Sequence, residues 1–233
     1  IPGREMAVKI RGAVRARREM LICARTAACA VHGFEDALER QVERFPLVVL
    51  TSVDEDLCGF LFGSLERIGG TPCVLWGLGA SLGSRRASSS LKLCVEELYR
   101  RAAISFPDED VVVAGRFADP GVYSLVASLD EVVPRPGYKP TGEERAWGRR
   151  LAKRFACDGQ FDDRSFVASG GGQPAPLVNP GSAKLTTKPA TAELLAGIDP
   201  QAGDSVVAFG WAMAEKLAGR LSTSGRTRNG NGR

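Results

Sequence analysis

A run of small residues in the first half of the chain could bind a phosphate-bearing ligand. Two adjacent arginines, Arg85 and Arg86, are followed there by four small residues, which are Ala87, Ser88, Ser89 and Ser90. Small side chains let a phosphate approach the backbone, and the N-terminus of a following helix offers N–H donors and partial positive charge. Arginine adds charge-assisted hydrogen bonds. The run predicts a pyrophosphate site, and the alternative is a helix cap with two exposed arginines.

The elements on either side of this run can be predicted from residue patterns. Residues 73–82 are rich in residues that favour strands and follow a turn at Gly69 and Gly70. Apolar residues recur at helical spacing from Leu91 to Ala102, which predicts an amphipathic helix. The run therefore connects a strand to a helix, where a helix N-terminus can face a ligand.

The remaining elements of the first half follow from the same patterns. Alternation over residues 6–14 predicts a strand, and residues 15–45 have the composition of two helices divided near Gly33. Residues 47–52 and 58–65 are also β-like, and the short turns between them and residues 73–82 favour antiparallel hairpins.

A parallel unit should follow the hairpins. Residues 111–114 form a short apolar run after the predicted helix, which is typical of a buried strand reached by a crossover. Asp119 and Pro120 are an N-cap followed by proline at the first helical position, so a helix should run to about residue 129. Another helix is expected from Thr141 to about Phe155, after a proline-rich connector.

The C-terminal part of the chain changes in composition. Residues 158–204 are rich in glycine and proline, which predicts an irregular segment. Residues 205–221 recover apolar character and should pack on the core, as a helix or as a strand followed by a helix. Residues 222–233 are polar and basic, as in a solvated tail.

This element order and the arginine–serine run resemble the GCN5-related N-acetyltransferase (GNAT) superfamily. The family carries Arg/Gln-x-x-Gly-x-Gly/Ala after its fourth strand, and here Arg85, Ser88 and Ser90 occupy the matching positions without gaps. Serine replaces both glycines. The resemblance covers residues 6–133 and identifies residues 1–157 as a GNAT-like acyltransferase domain. It implies an α/β (α+β) fold with a mixed, mostly antiparallel sheet, flanked by helices and splayed between its fourth and fifth strands.

The resemblance also implies roles for residues outside the run. Backbone N–H groups near Leu78 and Ala80 would polarise a thioester carbonyl, and Asp119 matches the residue that starts the helix after the fifth strand. In the family, a tyrosine on this helix often acts as general acid on the thiolate leaving group, and the matching position here is Val126. Tyr123 lies on the same helix face and is the candidate general acid. Glu66 is the candidate general base. The alternatives are a packed core tyrosine and a solvated carboxylate.

The implied function is transfer of an acyl group from acetyl-CoA, another acyl-CoA or the phosphopantetheine arm of an acyl carrier protein. The acceptor would be an amine of a small molecule or peptide, which attacks the thioester directly. Nothing in the sequence identifies that acceptor or an oligomeric state. The alternative is a GNAT-fold ligand-binding or interaction protein without transferase activity.

Composition argues against several other classes. The formal net charge is only +4 and basic residues are not interleaved with aromatic ones, which disfavours a nucleic-acid binder. The single histidine and the lack of a Cys-x-x-Cys pair argue against a metal site. Six cysteines without an export signal favour reduced core residues and a cytoplasmic location. No apolar run is long enough to span a membrane, so no membrane partner is expected.

Overall fold

The computed structural model describes most of the 233-residue chain. The described residues are 43–53, 56–81, 89–170, 177–178, 189–200 and 202–224. The strand predicted over residues 6–14, nearly all of the helical segment predicted over residues 15–45, and the tail beyond residue 224 lie outside these ranges.

Three antiparallel strands form one side of the sheet, as the short turns predict. They are β1 (Leu47–Val53), β2 (Asp56–Ile68) and β3 (Thr71–Ser81). The β2–β3 turn is made by Gly69 and Gly70 at φ +61° and +90°. These left-handed conformations favour glycine, so the turn is fixed locally.

A parallel unit extends this sheet. Helix α1 (Ser90–Ser105) leads into β4 (Val111–Phe117), which pairs with β3 in parallel. Helix α2 (Pro120–Val126) follows, and then β5 (Asp130–Val133). Helix α2 ends three residues before the predicted end because residues 127–129 form the turn that leads into β5.

Helix α3 (Gly142–Arg154) begins where its sequence predicts. The Thr141 hydroxyl accepts the Glu144 N–H at 3.2 Å, and the Glu144 carboxylate accepts the Thr141 N–H at 2.6 Å. This capping box satisfies two backbone donors at the helix start.

The C-terminal part contributes several short elements and one central strand. A 3₁₀ turn (Asp158–Gln160) precedes the short strands β6 (Phe161–Asp162), β7 (Val167–Ala168) and β8 (Leu177–Val178). Helix α4 (Pro189–Leu194), strand β9 (Ser205–Ala212) and helix α5 (Ala214–Ser224) complete the described part of the chain. Residues 205–221 thus form a strand and then a helix.

Strand β9 is inserted into the sheet beside β4. The order is β1-β2-β3-β4-β9-β7-β6, and β5 also pairs with β9. Among the described strands, only the β3–β4 and β3–β8 pairs are parallel. The sheet is therefore mixed and mostly antiparallel, flanked by helices, as predicted, and it is consistent with a GNAT-like α+β fold.

Helices cover both faces of the sheet. Trp76 of β3 contacts Tyr99 of α1, whereas Phe209 and Trp211 of β9 contact Trp147 of α3. The strand register places Trp76 on the face opposite to Phe209 and Trp211, so α1 and α3 lie on opposite faces. None of the described helices has the length and apolar content needed to cross a membrane.

The packing of α3 can be tested with a matched pair of glycine substitutions. A Cβ on Gly148 would lie 2.6 Å from Cε1 of the buried Phe166 ring, whereas a Cβ on Gly219 of α5 meets nothing within 4 Å. We expect Gly148→Ala to lower the free energy of unfolding by about 1–3 kcal/mol, because overpacking exceeds the gain in helix propensity. Gly219→Ala should raise it by up to about 1 kcal/mol. Urea unfolding of both variants measures this, and equal effects would contradict the close α3 contact.

Candidate functional site

Strands β3 and β4 separate partway along their length. Their pairing is limited to three residue pairs, which run from Cys73 with Val112 to Leu75 with Ala114. Both strands continue beyond that point, and β4 stays paired with β9 as far as Phe117. An opening therefore forms between the carboxyl ends of two parallel strands, which is where ligands bind in many sheets of this kind. We call this the β3–β4 opening.

Strand β8 occupies part of the β3 edge in this opening. It pairs in parallel with β3, where Leu177 lies opposite Gly79 and Val178 lies opposite Ala80. The other edge of β3 is already paired with β2 at the same two residues. Strand β8 therefore lies on the β4 side, beside the predicted carbonyl-polarising positions.

An aromatic cluster lies where the two strands separate. The Trp76 ring centroid is 6.0 Å from that of Phe117 and 6.3 Å from that of Tyr99. Phe117 in turn contacts Tyr123 of α2 edge to face, at 5.7 Å between centroids. A Cβ on Gly115 would lie 2.9 Å from the Phe117 ring, so only a glycine leaves this ring in place. The cluster closes the α1 side of the opening with apolar surface.

The indole nitrogen of Trp76 has an unusual environment. The side chain is fully buried, and Nε1 has no hydrogen-bond partner among the described residues. Buried donors in folded proteins are nearly always paired, because an unpaired one costs about 1–3 kcal/mol. Trp76 lies within the strand predicted over residues 73–82, and the sequence holds no signal of this unpaired donor.

Only part of the predicted pyrophosphate run lies in the described residues. Arg85, Arg86, Ala87 and Ser88 are outside them. Ser89 is exposed and is the N-cap of α1 without a side-chain capping bond, and Ser90 is buried. A Cβ on Gly59 of β2 would lie 2.7 Å from the Ser90 Cβ, so the start of α1 packs directly on the sheet. The strand and the helix predicted on either side of the run are both present.

Asp119 caps helix α2. Its Oδ1 accepts the Val122 N–H at 2.8 Å, and Pro120 follows at the first helical position. The structure thus shows a local role for Asp119 that explains its type without a ligand.

Tyr123 is buried on α2 and its hydroxyl already has a partner. The hydroxyl donates to the Pro134 carbonyl oxygen, which closes the turn between β5 and the proline-rich connector. Burial raises the pKa of the phenol above its usual value, so the group stays protonated but becomes a weaker acid. The position fits a packing role at the edge of the opening.

Glu66 lies far from the carboxyl ends of β3 and β4. It pairs with Cys73 at the start of β3, and Ala80 is seven residues further along, about 23 Å in an extended strand. Its carboxylate accepts from Arg154 Nε at 2.9 Å and from the Ser64 hydroxyl at 2.8 Å. The structure does not bring Glu66 together with Leu78, Ala80 or Tyr123, and its ion pair ties α3 to the sheet.

Arg116 is a charged residue beside the opening that sequence reasoning missed. Its side chain is only 6% exposed, and Nε donates to the Ser205 hydroxyl at 2.9 Å. No carboxylate pairs with it among the described residues, and burial lowers the pKa of its guanidinium. The sequence did offer one sign of this site, because Arg116 is the only charged residue in the otherwise apolar β4 sequence VVVAGRF.

Cys73, Cys94 and Cys157 are poor nucleophiles. Burial raises the pKa of the Cys73 thiol to about 11 and that of the Cys94 thiol to about 12, and it also raises the pKa of Cys157. A nucleophilic cysteine needs a lowered pKa because the thiolate is the reactive form. These thiols are therefore held in the unreactive state near neutral pH.

Comparison of the chain with protein-family models, with curated proteins and with solved structures found no match. Within the described ranges, no group of three or more His, Cys, Asp or Glu side chains is arranged to hold a metal ion.

The buried Cys94 thiol predicts a loss of stability at alkaline pH. Its pKa is about 12 in the folded protein and about 8.5 when unfolded, so the folded state binds more protons between these values. The free energy of unfolding should therefore fall as pH rises above about 8.5, by up to about 1.4 kcal/mol per pH unit for this thiol. Urea unfolding from pH 7.5 to 10.5 measures the slope, which Cys94→Ala should reduce. An unchanged slope in that variant would contradict the assignment.

Proposed function

We propose that the protein is an N-acyltransferase of GNAT type. It would transfer an acyl group from an acyl-CoA, or from a phosphopantetheine-linked carrier, to the amine of a small molecule or peptide. The observation that carries this proposal is the β3–β4 opening, where parallel strands separate and each is followed by a helix. A linear donor carrying a pyrophosphate has the shape and charge for a sheet edge beside a helix start.

The chemistry requires little from side chains. The acceptor nitrogen attacks the thioester carbonyl and forms the C–N bond, and the C–S bond breaks to release the thiolate of the donor. Backbone N–H groups of β3 near Leu78 and Ala80 are the proposed donors to the carbonyl oxygen as negative charge develops there. No covalent enzyme intermediate is needed, which agrees with the raised pKa values of the Cys73 and Cys94 thiols.

The proposal does not depend on Tyr123 or Glu66. A thiol with a pKa near about 8.5 is a fair leaving group without a general acid, and the Tyr123 hydroxyl is held by Pro134. Glu66 is engaged by Arg154 at the other end of β3. The amine would reach the opening unprotonated or lose its proton to solvent.

Strand β8 sets a condition on donor binding. A donor that pairs with β3 at Gly79 and Ala80 must displace β8, because the same edge cannot pair with two partners. Its two residues form only a short pairing with β3, so the exchange costs few hydrogen bonds.

Donor binding tests the proposal and the role of Arg85. Coenzyme A should bind in titration calorimetry, and Arg85→Ala should weaken binding by about 10- to 100-fold, the loss of a charge-assisted hydrogen bond. The matched control is Arg101→Ala on the exposed side of α1, where Arg101 pairs with Glu97 at 2.9 Å. This control should bind as the unaltered protein does. Absence of coenzyme A binding to the unaltered protein would refute the proposal.

Tyr123→Phe separates packing from acid catalysis. Because the hydroxyl supports the buried Pro134 carbonyl, the variant should lower the free energy of unfolding by about 1–3 kcal/mol. Turnover per folded molecule should stay within about threefold, whereas loss of a general acid costs about 100-fold or more. Single-turnover rates and melting temperatures of the same preparation measure both. A large fall in rate with unchanged stability would assign Tyr123 to catalysis.

A second candidate is a protein with the same fold that binds a ligand or partner without transferring an acyl group. The specific observation in its favour is β8, which occupies the β3 edge that a donor would use. Binding of coenzyme A with no acyl transfer to any of a panel of amines would favour this candidate.

A further inference from the structure

Two adjoining cavities lie away from the β3–β4 opening. One of about 280 Å³ is formed between α3 and the β5–β9 pair, and one of about 560 Å³ lies beside it at the start of β4. Both are lined by Glu131 and Trp211, so these residues stand where the cavities meet. We call the pair the α3–β9 groove.

Aromatic rings form the walls of the smaller cavity. The Trp147 and Trp211 rings are nearly perpendicular, at 81° with centroids 6.5 Å apart. Phe209 also lines the cavity and lies 6.4 Å from Trp147. Two perpendicular indoles form a corner, and indole faces attract cations more strongly than other aromatic side chains do.

The carboxylates that line the groove differ in whether they have hydrogen-bond or ion-pair partners. Glu144 accepts the Thr141 N–H and the Tyr138 hydroxyl, and Asp130 pairs with Lys216 at 2.6 Å. Glu131 lines both cavities and has no hydrogen-bond or ion-pair partner in the described part of the chain. Glu143, which also lines the smaller cavity, has no described partner either, whereas the Arg150 guanidinium already lies 5.3 Å from the Trp147 ring centroid. The Trp211 side of the aromatic corner therefore faces carboxylates that the described residues do not neutralise.

The backbone holds Glu131 at this position. Its φ is +50°, a conformation that costs energy for a residue with a side chain, and the β5–β9 register is irregular between Asp130 and Val133. Glycine would be the easier residue there. Glutamate at this bend fixes a carboxylate at the junction of the cavities.

Aromatic rings beside an unpaired carboxylate favour one class of ligand. A neutral apolar ligand would not need the carboxylate, and a metal ion would gain nothing from rings that offer no oxygen ligand. A quaternary or alkylated ammonium gains from both, because the rings attract its charge and cover its alkyl groups.

We propose that the α3–β9 groove binds an alkylated ammonium group. The cation lies against Trp147 and Trp211 with Glu131 beside it, and the rest of the ligand extends along the larger cavity past the exposed Met213. This cavity also includes Asp110, just before β4 begins, whereas the β3–β4 opening lies towards the carboxyl ends of these strands. The inference therefore does not rest on the proposed acyl transfer.

Choline and its neutral isostere 3,3-dimethylbutan-1-ol are the probes. Each of the three tryptophans should give its own indole N–H signal in an NMR spectrum, and Trp76, buried on the opposite face of the sheet, serves as an internal control. Choline should shift the Trp147 and Trp211 signals saturably, with a Kd on the order of 1 mM. The Trp76 signal should not move. An equal response to the neutral alcohol, or no saturable response to choline, would overturn the proposal.

Variants locate the site. Trp211→Leu should weaken choline binding by about 5- to 30-fold, and Glu131→Gln should weaken it by about 3- to 10-fold. Glu193→Gln, on the exposed surface of α4, makes the same change in charge and should have no effect. Weakening by Glu193→Gln equal to that by Glu131→Gln would overturn the proposal, because net charge would then explain binding.

A further variant guards against misfolding, and a peptide identifies the source of the cation. Glu131→Gly relieves the left-handed backbone, so it should bind choline as weakly as Glu131→Gln without a lower melting temperature. Undiminished binding by this variant would exclude the carboxylate and overturn the proposal.

A peptide with trimethyl-lysine that binds at least tenfold more tightly than choline supports a protein ligand, whereas equal affinities support a small molecule.

Discussion

The pairing of β9 with β4 is the interaction on which the rest of the structure depends. It runs along all of β4, from Val111 with Ala212 to Phe117 with Val206. Because β9 satisfies that edge of β4 throughout, β4 can leave β3 after three pairs without a collapse of the sheet. The other edge of β9 pairs with both β5 and β7, so one late strand connects the opening, the groove and the C-terminal segment.

Two buried polar side chains with few hydrogen bonds to the described residues lie beside the opening. Trp76 has an indole donor without a described partner, and Arg116 carries a buried charge with a single serine as its described partner. Buried polar groups with few partners lower the stability of the folded state. Proteins retain them most often where a ligand, a water or another segment supplies the missing hydrogen bonds. The two residues point to opposite faces of the sheet, so the opening has an uncharged aromatic side and a cationic side.

Several features could be read from the sequence because their causes are local. Gly69 and Gly70 specify the β2–β3 turn by their conformational freedom, Asp119 with Pro120 starts α2, and Thr141 with Glu144 starts α3. The aromatic corner and the position of Glu66 could not be read in this way. Trp147 and Trp211 are 64 positions apart, and whether Glu66 faces Arg154 or a substrate depends on how α3 lies across the sheet.

The sequence by itself determined the elements whose causes are local, but not the short strand β5 or the short elements between residues 158 and 194. Periodicity and capping act over a few residues, so the strands of the first hairpins, α1 and the starts of α2 and α3 follow from them. Only the tertiary structure decided that β9 lies beside β4 and that β8 takes an edge of β3. Each of these strands has polar backbone edges that could pair with several others. The choice among partners is made by burial of side chains from distant parts of the chain, which no local pattern records.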